Sequence, residues 1–153
     1  MTRAYVGVGA NLGDRERTIR DALAALDARA DVAVVAVSAL RETDPVGYLD
    51  QPRFLNGAAA LETELAPRAL LDALLEVERE LGRVRGGGPR YGPRPIDLDL
   101  LLHGDLVVDE PGLVVPHPRL HERLFALEPL AELDPALVVP GRGAVEDLIA
   151  RLE

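Results

Sequence analysis

Arg90-Tyr91-Gly92-Pro93-Arg94-Pro95-Ile96-Asp97-Leu98-Asp99-Leu100-Leu101 passes from a glycine- and proline-rich segment into an aliphatic run. That change predicts a strand over 96–102. In extended backbone, residues two apart point to the same face, so Asp97 and Asp99 share one. Just upstream, Arg83, Arg85, Arg90 and Arg94 lie among five glycines and two prolines, and no acid occurs from Gly82 to Ile96. Downstream, His103-Gly104-Asp105 is turn chemistry leading into Leu106–Val108, which predicts a hairpin with the strand before it.

Toward the N-terminus, Ala4–Ala10 alternates small and β-favouring residues and predicts a first strand, stopped at Asn11 and Gly13. From Arg15, Ile19, Ala22, Leu23 and Leu26 fall at helical spacing, with Asp14 as the cap and Ala30-Asp31 as the close. Val32–Leu40 is almost wholly apolar and predicts a strand buried on both faces or at the sheet centre. Thr43–Pro52 carries the prolines, glycine and polar residues of a long ordered loop. Phe54–Leu61 predicts another strand, and Ala66-Pro67 opens a helix whose stripe is Leu70, Leu71, Leu74, Val77 and Leu81, ended by Gly82. Leu113–Pro118 reads as extended, Arg119–Leu133 as short helices and Gly143–Leu152 as a last one. The order βαββαββ predicts an α+β fold with a ferredoxin-like split βαβ core, a mostly antiparallel sheet with helices packed on it.

Composition narrows the function classes. With 153 residues the chain is expected to form one domain, 1–153, and its 48% hydrophobic and 28% charged residues suit a folded protein. No apolar stretch reaches the roughly 20 residues that cross a bilayer, and the N-terminus runs into a strand pattern without a signal-peptide core, so a cytoplasmic location is expected. A net charge of -9 argues against general nucleic-acid binding. There is no cysteine, so any metal falls to oxygen or histidine ligands. All 17 basic residues are arginine, which removes lysine-dependent phosphate loops and Schiff-base chemistry.

Asp97 and Asp99 suit magnesium held by one or two carboxylates plus phosphate oxygens, and equally suit two solvent-facing acids on an edge strand. The acid-free arginine loop beside them favours a phosphate site, because guanidinium forks match phosphate oxygens. Gly7-Val8-Gly9-Ala10-Asn11-Leu12-Gly13 fails the dinucleotide fingerprint, since its third glycine comes one residue late; tight backbone packing is the better reading. Phe54 and Phe125, the only two phenylalanines, read as core filling or ligand contacts, and His117 between two prolines reads as a structural or a phosphate-contacting histidine.

Arg90–Leu101 also satisfies, position by position, a signature of basic residue, any residue, two small residues, arginine, two free positions, Asp-aliphatic-Asp and two aliphatics. With Gly9-Ala10-Asn11-Leu12-Gly13, Gln51-Pro52-Arg53-Phe54-Leu55-Asn56, Glu78 with Gly82–Arg85, and Val115–Arg119 with Arg123 and Phe125, the chain resembles the 6-hydroxymethyl-7,8-dihydropterin pyrophosphokinase family of folate biosynthesis. The resemblance covers essentially the whole chain. It implies transfer of the pyrophosphoryl group of ATP to the pterin hydroxymethyl oxygen, with release of AMP and two Mg2+ ions as cofactors.

Carried over, Asp97 and Asp99 would bind both metals, and with Arg83, Arg85 and Arg94 they would form the catalytic set. ATP would meet Glu78, Arg83, Arg85, Tyr91, Arg94, Leu100, His117 and Arg123. The pterin would meet Thr43, Val46, Phe54, Asn56, Asp97 and Phe125, stacking between the two phenylalanines. Gly112, Val114 and Pro118 depart from side chains that some members carry. The expected partners are these small molecules alone, for a monomer without nucleic acid or membrane, and Gly86–Pro89 is expected to let a loop close over ATP.

Overall fold

The computed structural model describes residues 1–45, 48–82 and 95–153. Its elements are β1 (Thr2–Ala10), α1 (Arg15–Asp27), β2 (Val32–Val37), β3 (Arg41–Thr43), β4 (Phe54–Thr63), α2 (Pro67–Glu80) and β5 (Asp97–His103). They continue with β6 (Val108–Glu110), β7 (Leu113–Val115), a 3-10 turn (Leu120–Glu122), α3 (Leu124–Leu133), β8 (Val138–Val139), β9 (Gly143–Ala144) and α4 (Val145–Leu152). The main sheet runs β2-β4-β1-β5, antiparallel at each junction, with β3 pairing on β4 beside β2. This is the ferredoxin-like split βαβ arrangement, in which α1 and α2 each connect strands that do not neighbour one another.

Strand alternation allots the side chains to two layers. Ala4, Val6, Val8 and Ala10 of β1 join Ala59, Leu61, Leu98 and Leu100 in a core closed by Ile19, Ala22 and Leu26 of α1 and Leu70, Leu74 and Val77 of α2. Tyr5, Ala58, Ala60, Leu101 and Leu102 lie in a second core closed by Ala126, Leu127 and Leu130 of α3 and Val145 and Leu148 of α4. A register shift beside Tyr5 and Val6 leaves Leu101 without a β1 partner, so Leu101 and Leu102 both enter the second core.

Local chemistry sets the boundaries. Asp14 caps α1 by accepting from Arg17 N–H at 3.2 Å, Pro67 sits in the first turn of α2, and Gly82, at φ +93°, follows its last residues.

Two sequence expectations are corrected. Val32–Leu40 was to be buried; instead β2 is an edge strand with Val35 46% and Val37 44% exposed, because β4 flanks it on one side only and its β-branched residues favour extended backbone without burial. The hairpin between 96–102 and 106–108 does not form, since β5 pairs with the longer β1 and Gly104 N–H donates to Arg3 O at 2.8 Å, turning the chain away; β6 pairs with β7 instead. Among the described residues, no helix is long and apolar enough to cross a membrane.

Leu74 is wholly buried between α2 and the sheet. Leu74→Ala should cost about 2–5 kcal/mol, read as a lower urea midpoint at an unchanged slope.

Candidate active site

Beyond Tyr5, the second sheet face carries a row of register partners. Asp97 of β5 stands opposite Gly9 of β1, Gly9 opposite Asn56 of β4, and Asn56 opposite Arg41 of β3; Asp99 stands opposite Gly7. Alternation with Leu98 and Leu100, and with Ala58 and Ala60, puts Asp97, Asp99, Phe54 and Asn56 on this same face. Between the acids and Asn56, β1 thus presents two glycines, Gly9 buried and Gly7 half-buried with the Leu101 side chain against it. A Cβ on Gly9 would run into Asn56 Oδ1, closer than real Cβ contacts allow, so a larger residue there would displace the Asn56 amide. The tight-packing reading of the glycine motif holds at Gly9.

Asn56 is aimed by its neighbour. Its Nδ2 donates to Thr43 Oγ1, so the amide oxygen lies over Gly9. The Thr43–Pro52 segment is held in turn by Asn11, which is 3% exposed and whose Nδ2 donates to Gln51 Oε1 at 2.8 Å and to Pro52 O at 3.0 Å. Gln51 Nε2 donates to Tyr48 O at 2.5 Å. Glu132 of α3 accepts from Ala39 N–H at 2.7 Å and from Arg41 Nη2 at 2.8 Å, fastening the β2–β3 connection to α3. Sequence reasoning left Gly7, Gly9, Asn11, Gln51 and Glu132 without these roles. The alternate glycines on a strand bordering an Asp-x-Asp strand were the available signal for the floor; the Glu132 clamp spans 93 residues and had none.

His117, Arg123 and Phe125 lie on the chain that runs from β7 through the 3-10 turn into α3. His117 N–H donates to Leu101 O at 3.0 Å, which ties the segment to β5. Burial pushes the imidazole down to about 4, helped by the charges of Arg123 and Arg119 and opposed by that of Asp97. It is neutral near pH 7, and its Nδ1 accepts from Arg119 N–H at 3.2 Å, leaving Nε2 to carry the proton and donate. The Arg123 guanidinium carbon lies 5.5 Å from the centre of the Phe125 ring, and its Nε is buried without a hydrogen-bond partner among the described residues. That unsatisfied donor is the chemistry of an anion contact.

Two of the expected ATP contacts have side chains seated inside the protein. Leu100 is 5% exposed with its side chain in the α1/α2 core, so only its backbone could meet a nucleotide. Glu78, 1% exposed, turns its Oε2 to Leu98 N–H at 2.8 Å and is seated inside the protein. Val46, Arg83, Arg85, Tyr91 and Arg94, with the expected closing loop at Gly86–Pro89, lie outside the described residues.

For a metal, the donor set is the test. Among the described residues no three His, Cys, Asp or Glu side chains form a cage, while two half-buried carboxylates share one face of β5. This fits magnesium, which keeps most of its shell for water and phosphate oxygens and takes one or two protein carboxylates.

The fold and this face define an α+β protein in which two acids share one strand face near a neutral histidine and an arginine. The family model described as 7,8-dihydro-6-hydroxymethylpterin-pyrophosphokinase matches residues 5–135. A 2-amino-4-hydroxy-6-hydroxymethyldihydropteridine pyrophosphokinase of Pseudomonas aeruginosa is 48% identical over 150 residues, covering 98% of this chain and 91% of that one. One of Bacillus subtilis is 50% identical over 130 residues, covering 85% and 77%. The crystal structure of an HPPK-DHPS in complex with substrates superposes with a TM-score of 0.72 over 98% of this chain and 43% of that one, at 12% identity, a likeness of fold. The chain belongs to the 7,8-dihydro-6-hydroxymethylpterin-pyrophosphokinase family.

The His117 shift has a definite sign. Its folded value lies below its ordinary 6.5, so its contribution to stability is complete above that value and is lost as pH falls toward 4, at most about 3 kcal/mol. NMR of the metal-free protein should find the His117 ring signals unmoved between pH 8 and about 5.5; an ordinary midpoint near 6.5 would remove the argument.

Proposed function

We propose that this chain transfers the pyrophosphoryl group of ATP to the hydroxymethyl oxygen of 6-hydroxymethyl-7,8-dihydropterin, releasing AMP, in folate biosynthesis. The observation that carries this reading is the glycine-floored strip between Asp97/Asp99 and Asn56. A flat pterin fits on Gly7 and Gly9 between Phe54 and Phe125, with Asn56, fixed by Thr43, reading its hydrogen-bonding edge. Its hydroxymethyl oxygen then faces the aspartate side. That oxygen attacks the β-phosphorus, the bond from β-phosphorus to the bridging oxygen breaks, AMP leaves with the electron pair, and the hydroxyl proton passes to solvent.

Asp97 and Asp99 hold two Mg2+ ions in this reading. Bound magnesium would offset the negative charge of the triphosphate that opposes attack. His117 Nε2–H and Arg123 donate to phosphate oxygens, and the resemblance assigns Arg83, Arg85 and Arg94 to the same work, with Tyr91 at the nucleotide and Val46 at the pterin. Rate enhancement then comes chiefly from positioning and fixed charge. The reading takes the chain as a single pyrophosphokinase domain working as a monomer.

Incubated with ATP, magnesium and the pterin, the protein should form AMP and the pterin diphosphate in equal amounts; ADP, or no turnover with authentic substrate, counts against the reading. Asp97→Ala and Asp99→Ala should each lower kcat/KM by about a thousandfold or more, and near-normal rates would remove them from the metal site.

A further inference from the structure

β5 is the outer strand of the main sheet, so half of its backbone groups face away from β1 and need partners elsewhere. Its first residues carry Asp97 and Asp99, and the cross-strand partners of both are glycines. Neither acid therefore has a β1 side chain directly opposite it. The Leu98 amide joins the two acids along the chain, and Glu78 Oε2 accepts from it at 2.8 Å. Glu78 comes from α2, which is fixed to the sheet by Leu70, Leu74 and Val77. At 1% exposure, burying its carboxylate is costly, and a charged acceptor on a backbone donor is the strong, short kind of hydrogen bond that offsets that cost.

We infer that Glu78 is a positioning residue: by holding the Leu98 amide to α2, it fixes the start of β5 so that Asp97 and Asp99 aim together at a divalent cation. The inference rests on the reading of that pair as the metal site. Glu78 acts through the strand, without touching the metal. A neutral acceptor of the same length should therefore preserve much of the effect, whereas a merely space-filling role would be served by leucine.

The test compares wild type, Glu78→Gln and Glu78→Leu with two readouts that do not need turnover. Amide hydrogen exchange at Leu98, in protein free of metal and nucleotide, should speed up about tenfold or more in Glu78→Leu, with Leu61 of β4 unchanged. Mn2+ affinity in the presence of a non-hydrolysable ATP analogue, followed by line broadening at Gly9 and Leu98, should fall about tenfold in Glu78→Leu and recover to within about threefold in Glu78→Gln. Unchanged Leu98 exchange, or faster exchange with unchanged Mn2+ affinity, overturns the inference. If Glu78→Leu does not fold, the Leu98 amide proton resonance decides: it should move upfield in Glu78→Gln, and an unmoved resonance overturns the anchor. Wild type that forms no AMP while Glu78→Leu still loses Mn2+ affinity would sink the proposed reaction and leave the positioning intact. AMP formation by wild type with unaltered Mn2+ affinity in Glu78→Leu would do the reverse.

Discussion

The antiparallel pairing of β1 with both β4 and β5 is the constraint on which the rest depends. Because side chains alternate across a strand, one register decides both the core and the site. Ala4, Val6, Val8 and Ala10 turn to α1 and α2, which leaves Gly7 and Gly9 to face the other way. A slip by one residue would put valines on the floor and glycines in the core. Core and site are two faces of the same ladder and cannot be varied independently.

The electrostatics follow from that floor. An acidic chain of net charge -9 must meet a polyphosphate with local positive charge, and two aspartates at the rim would repel it further. In the proposed reading a cation between the acids and the phosphate reverses the sign, and magnesium can take one or two protein carboxylates for that role. Burial keeps the His117 imidazole neutral near pH 7, so the histidine contributes a donor without a titrating charge, and the buried Nε of Arg123 has no hydrogen-bond partner among the described residues.

Much of this was legible in the residues. The period-two pattern of Ala4–Ala10, the cap at Asp14 and the stripe of Leu70, Leu74 and Val77 are local signals, and they gave the strand and both helices. The shared face of Asp97 and Asp99 followed from spacing alone. Pairing was harder to read. Val32–Val37 has the composition of a central strand yet lies at an edge, and 106–108 follows a turn yet does not pair back, because partners are chosen by long-range competition for β1 that no short window contains. Glu78 illustrates the same limit inside the site. Its motif placed it near the nucleotide, but only the three-dimensional position of the Leu98 amide turns it inward to the strand.

The polar anchors around the site have a common cause. Much of the sheet is steadied by aliphatic packing from both layers, whereas the part of the second face that carries Asp97, Asp99 and Asn56 lies outside both aliphatic cores. Its borders are held instead by directional hydrogen bonds made from outside the floor: Asn11 on Gln51 and Pro52, Glu132 on Ala39 and Arg41, Glu78 on Leu98. Such bonds fix orientation as well as distance, which apolar contact does not. A site with glycines for a floor has to be positioned from its edges, and each of these three anchors ends on a segment that carries a candidate ligand contact or leads directly into one.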